Sequence, residues 1–271
     1  MSARLGQVWA VARHETPRNL LRGRALPLYL LAALPLIVVG VLQVVRLFVT
    51  AADEMDTAEG AAMVYALVYQ FILRFVLYAG CVWIFMNLIR GEVLDRSLHY
   101  YFLTPIRREV LVIGKFVAGW LGATLLFTAS TVGSMFLLHA HLGIDGVRHL
   151  LVGPGSAQLW SYVAITLLAC VGYGAVLLSI GLLLRNLIVP ALLFWALEWA
   201  NPYLPALLKK VSVVFYLNSL LPLRIDEGLF ALVADPVSPW LAVPGLFVFA
   251  ALALAAAGWR IRRMEIAYGD E

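Results

Sequence analysis

Residues 25–49, "ALPLYLLAALPLIVVGVLQVVRLFV", decide what kind of protein this is. The run carries a single charged side chain, Arg46. At about 1.5 Å per residue it would extend roughly 37 Å as a helix, more than the ~30 Å hydrocarbon core of a bilayer. Arg4, Arg13, Arg18, Arg22 and Arg24 precede it, as basic residues precede a secretory signal. The apolar region of such a signal is only about 7 to 15 residues long, and "VTAAD" is a poor cleavage site, so the run is expected to stay as a membrane span. Arg46 sits near its outer end, where a long side chain can snorkel to the interface.

Working outward, five further apolar runs cover 61–89, 110–138, 158–184, 187–205 and 241–259. The 271-residue chain is 63% hydrophobic and 13% charged, with a mean hydropathy of +0.90. A soluble domain is about half apolar and a quarter charged, so this excess cannot fit inside one soluble core. The reading is an all-α membrane protein with six transmembrane helices over 25–259.

Charge gives its orientation. Fourteen of the twenty Lys and Arg residues fall in residues 1–24, in 90–115, at Arg185, and at Arg260, Arg262 and Arg263. With six spans, all four segments lie on one side. The other side has the acidic turn "DEMDTAE" and only Arg148, Lys209, Lys210 and Arg224. Basic loops stay inside, which places both termini in the cytoplasm of a multi-pass cell-membrane protein. The net charge of +4 is thus explained by topology, and nucleic acid is discounted as a partner.

The segments outside the spans have their own patterns. In 1–24, Leu5, Val8, Trp9 and Ala12 recur at helical spacing beside Arg4 and Arg13, which suits an amphipathic helix in the headgroup plane, interrupted or re-aimed at Pro17. Residues 202–238 begin with a break at Pro202 and Pro205 and continue with an apolar run too short to span, so they read as an outer re-entrant hairpin. Residues 260–271 form a cytoplasmic tail. His139, His141 and His149 lie on an outer loop, but His139 and His141 would point apart on a helix, and no metal is expected. Cys81 and Cys170 fall inside spans with no ligand-like spacing and read as small buried side chains.

Ionisable groups within spans are functional candidates because burying a lone charge is costly. Arg74 and Glu198 sit fifteen and eleven residues from the cytoplasmic ends of spans two and five, so their depths differ by about 6 Å. They are a candidate intramembrane charge pair.

The most polar segment between spans is "GEVLDRSLHYYFLTPIRREVLVIGK", residues 91–115. Glu92, Asp95 and Arg96 are near helical spacing, Leu98, Tyr100 and Tyr101 are apolar or aromatic, and Thr104-Pro105 reads as an N-cap followed by proline at the first helical position. Arg107, Arg108 and Glu109 lead into span three. Both signs of charge beside exposed aromatics suit protein docking.

This segment resembles the one that follows the second span in ABC-2 type transporter permeases. There an acid, a Gly-Thr-Leu, a "TP" or "SP" step, a basic pair and a Gly-Lys run into the third span. Glu92, Ser97, Leu98, Thr104, Pro105, Arg107, Gly114 and Lys115 match, while Arg96 stands where Gly is usual. The six-span order, basic N-terminal helix and outer hairpin are also similar. The resemblance implies that 91–109 is a coupling helix docking on an ATP-hydrolysing subunit through Glu92, Asp95, Arg96, Leu98, Tyr100, Tyr101, Thr104, Pro105, Arg107, Arg108 and Glu109. It implies a second permease copy, giving a homodimer, or else a close relative in its place, and export by alternating access.

The chain has no G-x-x-x-x-G-K-[ST] loop, so ATP and Mg are expected on the partner, with no cofactor or catalytic residue here. An intramembrane hydrolase would need a base at the depth of Ser134, Ser179 or Cys170, and no His is there. Two alternatives stay open: an ion-gradient-driven secondary transporter, and a membrane protein that transmits force without transport.

Overall fold

The computed structural model describes residues 2–21, 25–48, 57–94, 108–184, 188–223 and 237–262, and among these there are helices and turns but no strand. The helices are α1 (Ser2–Leu21), α2 (Leu26–Phe48), α3 (Ala58–Phe71), α4 (Tyr78–Leu94), α5 (Arg108–His139), α6 (Gly143–Leu151), α7 (Gly155–Leu183), α8 (Ile188–Ala200), α9 (Ala206–Lys209), α10 (Val213–Asn218) and α11 (Pro239–Arg262). A π-helical turn, Ile72–Leu77, joins α3 to α4 without interrupting the rod.

Five segments are long and apolar enough to cross a membrane: Leu26–Arg46, Ala58–Leu88, Glu109–Leu151, Gly155–Leu183 and Pro239–Arg262. The expected fifth span of six, 187–205, has a different form. Its helix α8 is 13 residues long, about 20 Å, which falls short of a 30 Å core. A 3-10 turn at Asn201–Tyr203 and Pro205 end it, because proline cannot donate the next helical bond.

Side-chain contacts fix the helix directions. Ser130 donates to the Ala32 carbonyl, Gly133 faces Leu36, and Gln43 Nε2 donates to the Leu138 carbonyl, so α2 runs parallel to α5. Gly80 faces Phe127, and Lys115 Nζ donates to the Leu88 carbonyl at 3.0 Å, so α4 runs antiparallel to α5. Tyr69 meets Tyr162 and Phe85 meets Gly174, which aligns α7 with α3 and α4. Gly172 meets Leu246 and Ser179 donates to the Ala253 carbonyl, so α11 runs parallel to α7. The chain leaving α7 at one end therefore returns to the other before α11 begins. Helix α8 starts that return, running antiparallel to α4 with Ala191 beside Tyr78 and Trp195 beside Arg74.

Small residues let these helices approach, as in membrane bundles where the apolar medium gives helices no hydrophobic reason to associate. Phe85 lies between Gly119 of α5 and Gly174 of α7, and a methyl group on Gly80 would overlap the Phe127 ring. The core also carries tyrosines with bonded hydroxyls. Tyr65 OH donates to the Thr131 carbonyl at 2.8 Å, and Tyr69 OH lies 2.8 Å from Thr166 Oγ1.

The N-terminal helix departs from the expectation in two ways. It continues through Pro17, with the Thr16 hydroxyl donating to the Ala12 carbonyl and Tyr29 OH to that of Leu20. Its docked face holds Val11, Ala12 and Glu15, all buried, whereas Trp9 is 59% exposed. The cause is Gly114 on α5: a Cβ there would lie 2.8 Å from Val11 Cβ, so only glycine allows so close a crossing. Tertiary docking decides the face here rather than the apolar moment of the helix alone.

Candidate functional site

Glu198 stands on the last turn of α8 and is fully buried. Its two carboxylate oxygens accept the backbone N–H groups of Val213 at 2.9 Å and Val214 at 2.8 Å, and Tyr173 OH of α7 donates to it at 3.2 Å. Val213 and Val214 open α10, whose first N–H groups have no intrahelical acceptor. The carboxylate supplies those acceptors, and its charge opposes the positive end of the helix dipole. Glu198 thus caps a short helix from fifteen residues upstream.

The cap is deep in the bundle. Gly172 lies under Val213 and Leu246, and Val213, Val214 and Leu217 are fully buried. Gly172 is about 25 Å along α7 from Gly155 and about 17 Å from Leu183, near the middle of the helix. The chain after α8 therefore dips inward. Asn201 Nδ2 donating to the Lys209 carbonyl and Tyr216 OH to that of Lys210 brace it from within.

Arg74 occupies the π-helical turn, a distortion often found at functional positions. Trp195 Nε1 donates to its carbonyl at 3.2 Å, and its guanidinium lies 5.9 Å from the ring centre of Trp199, the residue following Glu198. Arg74 and Glu198 thus flank the same break in the bundle, where Tyr173 and the two valine amides hold the carboxylate.

Of the segment expected to dock a partner, Asp95, Arg96, Leu98, Tyr100, Tyr101, Thr104, Pro105 and Arg107 lie outside the described residues. Glu92 and Arg108 are described only as backbone in α4 and α5. Glu109, in the first turn of α5, pairs with Arg262 Nε of α11 at 2.5 Å, each charge on the favourable end of its helix dipole. Lys115 is buried and tied to the Leu88 carbonyl. The hairpin beyond residue 223, up to 236, and the tail beyond 262 are likewise outside the described residues.

His139, His141 and His149 do not converge as a ligand set. His139 donates from Nδ1 to the Met135 carbonyl and stacks on His149 with ring centres 6.2 Å apart, while His141 turns to the Leu138 carbonyl and Gln43. No group of three potential metal ligands occurs among the described residues. Cys81 and Cys170 are buried and free, and their thiols meet across α4 and α7.

Sequence reasoning missed Tyr173 and the two valine amides. A backbone N–H has no residue type to mark it, and Tyr173 is one of eleven tyrosines. A scan against protein-family models, a search of characterised proteins and a search of solved structures each find no match to this chain.

Proposed function

We propose that this chain is the membrane permease subunit of an ATP-driven exporter, similar in organisation to the ABC-2 type. In this reading it crosses the membrane six times with both termini cytoplasmic. The return between the parallel helices α7 and α11 is made by α8 together with the broken segment after it, which forms the outer re-entrant hairpin. Helix α1 lies at the cytoplasmic interface. A separate ATPase subunit binds ATP and Mg and docks on 91–109, and a second permease copy completes a homodimer in the bilayer.

One observation supports this most. The helices on either side of residues 95–107 are clamped to each other and to two more helices at the same end. Lys115 bonds the Leu88 carbonyl, Gly114 receives Val11 of α1, and Glu109 pairs with Arg262 of α11. A push delivered between α4 and α5 at that end would move α1, α4, α5 and α11 as a unit, as a coupling element requires.

The test is co-purification in nanodiscs with ATP turnover, comparing wild type with a Glu92→Ala, Arg107→Ala variant. Recovery of an ATPase that the variant loses supports the reading. A second reading, an ion-gradient-driven transporter, is favoured by the buried Glu198 carboxylate at a helix break in mid-bundle, since such transporters bind substrate and ions at broken helices near the bilayer midplane. Transport that persists without any ATPase and follows an ion gradient would select it.

A further inference from the structure

One face of α7 carries a polar stripe through the bundle. Gln158, Tyr162, Thr166, Cys170 and Tyr173 follow at steps of four, four, four and three residues, so they share that face over about 22 Å, most of a ~30 Å hydrocarbon core. The stripe starts at the Gly155 end of the helix and reaches Glu198, to which the Tyr173 hydroxyl donates at 3.2 Å.

Groups on α3, α4 and α5 complete it as a column. Ser134 Oγ lies 3.1 Å from Tyr65 OH, which donates to the Thr131 carbonyl, while Thr131 Oγ1 lies 3.3 Å from Thr166 Oγ1 and that atom 2.8 Å from Tyr69 OH. Cys170, one turn beyond Thr166, is within electrostatic reach of Tyr69 and meets the Cys81 thiol, and Cys81 is within reach of Tyr173. All of these side chains are buried.

Hydroxyls that only hold membrane helices together are paired with one another or with carbonyls. At the outer end of the stripe two groups are not: Tyr162 OH and Gln158 Oε1, one turn apart, are buried atoms without a hydrogen-bond partner among the described residues. Buried polar atoms of that kind take ordered water. A hydroxyl or a water can accept a proton on a lone pair and release its own, which no apolar contact can do.

We infer that this column conducts protons from the outer face to Glu198. A proton entering beside Gln158 and Tyr162 passes along the hydroxyls and thiols, each gaining one bond to hydrogen and releasing another, and ends on a Glu198 carboxylate oxygen as a neutral carboxyl group. The relays end unchanged and one proton is taken up. Around Glu198 the titratable groups are Tyr173 of α7, Tyr78 and Cys81 of α4, Arg74 of the π-helical turn and the buried Lys209 of α9. A neutral carboxyl accepts less strongly from the Val213 and Val214 amides than a carboxylate, so its formation loosens the start of α10. The path holds whether an ATPase or an ion gradient drives the chain, and only the name of the outer side rests on the orientation in the proposed function.

The test uses no ATPase, so its failure and the failure of that reading are distinguishable. The purified chain in nanodiscs is mixed rapidly from neutral into acid buffer while infrared absorption follows the carboxyl band, assigned to Glu198 by its loss in Glu198→Gln. The band appears in wild type. Thr166→Val and Tyr69→Phe, which keep volume but remove a hydroxyl, slow its appearance more than about tenfold and leave its final height unchanged, because proton transfer needs each group within hydrogen-bond reach. Thr166→Ser restores the wild-type rate. Ser179→Ala, which removes an α7 hydroxyl bonded to the Ala253 carbonyl away from the column, leaves the rate unchanged. Should Thr166→Val or Tyr69→Phe fail to fold, Tyr162→Phe carries the comparison at the outer end.

A wild type with no Glu198 band after the jump overturns the inference. So do wild-type rates in folded Thr166→Val and Tyr69→Phe, which would bring the proton from the other end of α7.

Discussion

The Glu198 carboxylate accepts the Val214 N–H at 2.8 Å across fifteen intervening residues, and this one contact joins the end of α8 to the start of α10 at mid-bundle. A carboxylate so buried is tolerated because two amides and a phenol replace its water. Removing it leaves those donors orphaned. Glu198→Ala is expected to cost about 3 kcal/mol or more, and Glu198→Gln less, since an amide keeps one acceptor oxygen. Maleimide labelling of Leu217→Cys in a Cys81→Ala, Cys170→Ala background checks this: protected with Glu198 present, labelled in Glu198→Ala.

Arg74 lies over the ring of Trp199, the residue after Glu198, and whether the two charges pair is a question of coupling energy. A double-mutant cycle with Arg74→Ala and Glu198→Ala is expected to give more than about 0.5 kcal/mol of interaction in thermal unfolding. Additive effects would mean that Arg74 serves the Trp199 side alone.

Gly80→Ala places a methyl group inside the Phe127 ring. The expected loss is about 1 to 3 kcal/mol. Phe127→Leu in the same chain should recover part of it, whereas Phe127→Leu alone destabilises. A Gly80→Ala chain as stable as wild type would contradict the described α4–α5 crossing.

The Glu109–Arg262 pair is open to solvent, with side chains 41% and 62% exposed. Such pairs contribute about 0.2 to 1 kcal/mol and fade with salt. Glu109→Gln is therefore expected to shift unfolding only slightly, with the shift vanishing in high salt. A large effect on ATPase association with little effect on stability would locate the role of Glu109 in docking.

Much of the fold was legible in the sequence because apolar runs long enough to cross lipid are rare in any other context. The runs at 25–49, 61–89, 110–138, 158–184 and 241–259 correspond to the five long helices. The fifth run of the six was harder, since 187–205 has the composition of a span while Pro202 and Pro205 cut its helix to 13 residues. Glu198 stood out as a carboxylate in an apolar run. Its partners did not, because capping of α10 depends on where the chain folds back. The docked face of α1 was hidden for a similar reason: Gly114, a hundred residues away, selects Val11 over Trp9. The π-helical turn around Arg74 has no residue pattern that marks it.

In the proposed function, motion enters the bundle through 91–109 from an ATP-hydrolysing partner. A chain with Cys81→Ala and Cys170→Ala and a single cysteine at Leu98 should be expressed in its native host and cross-linked in membranes, and the adduct identified by mass spectrometry. The account predicts one adduct with a protein bearing a G-x-x-x-x-G-K-[ST] loop, with a yield that changes on adding ATP. An adduct with no such protein, while the chain is folded and in the membrane, would contradict it.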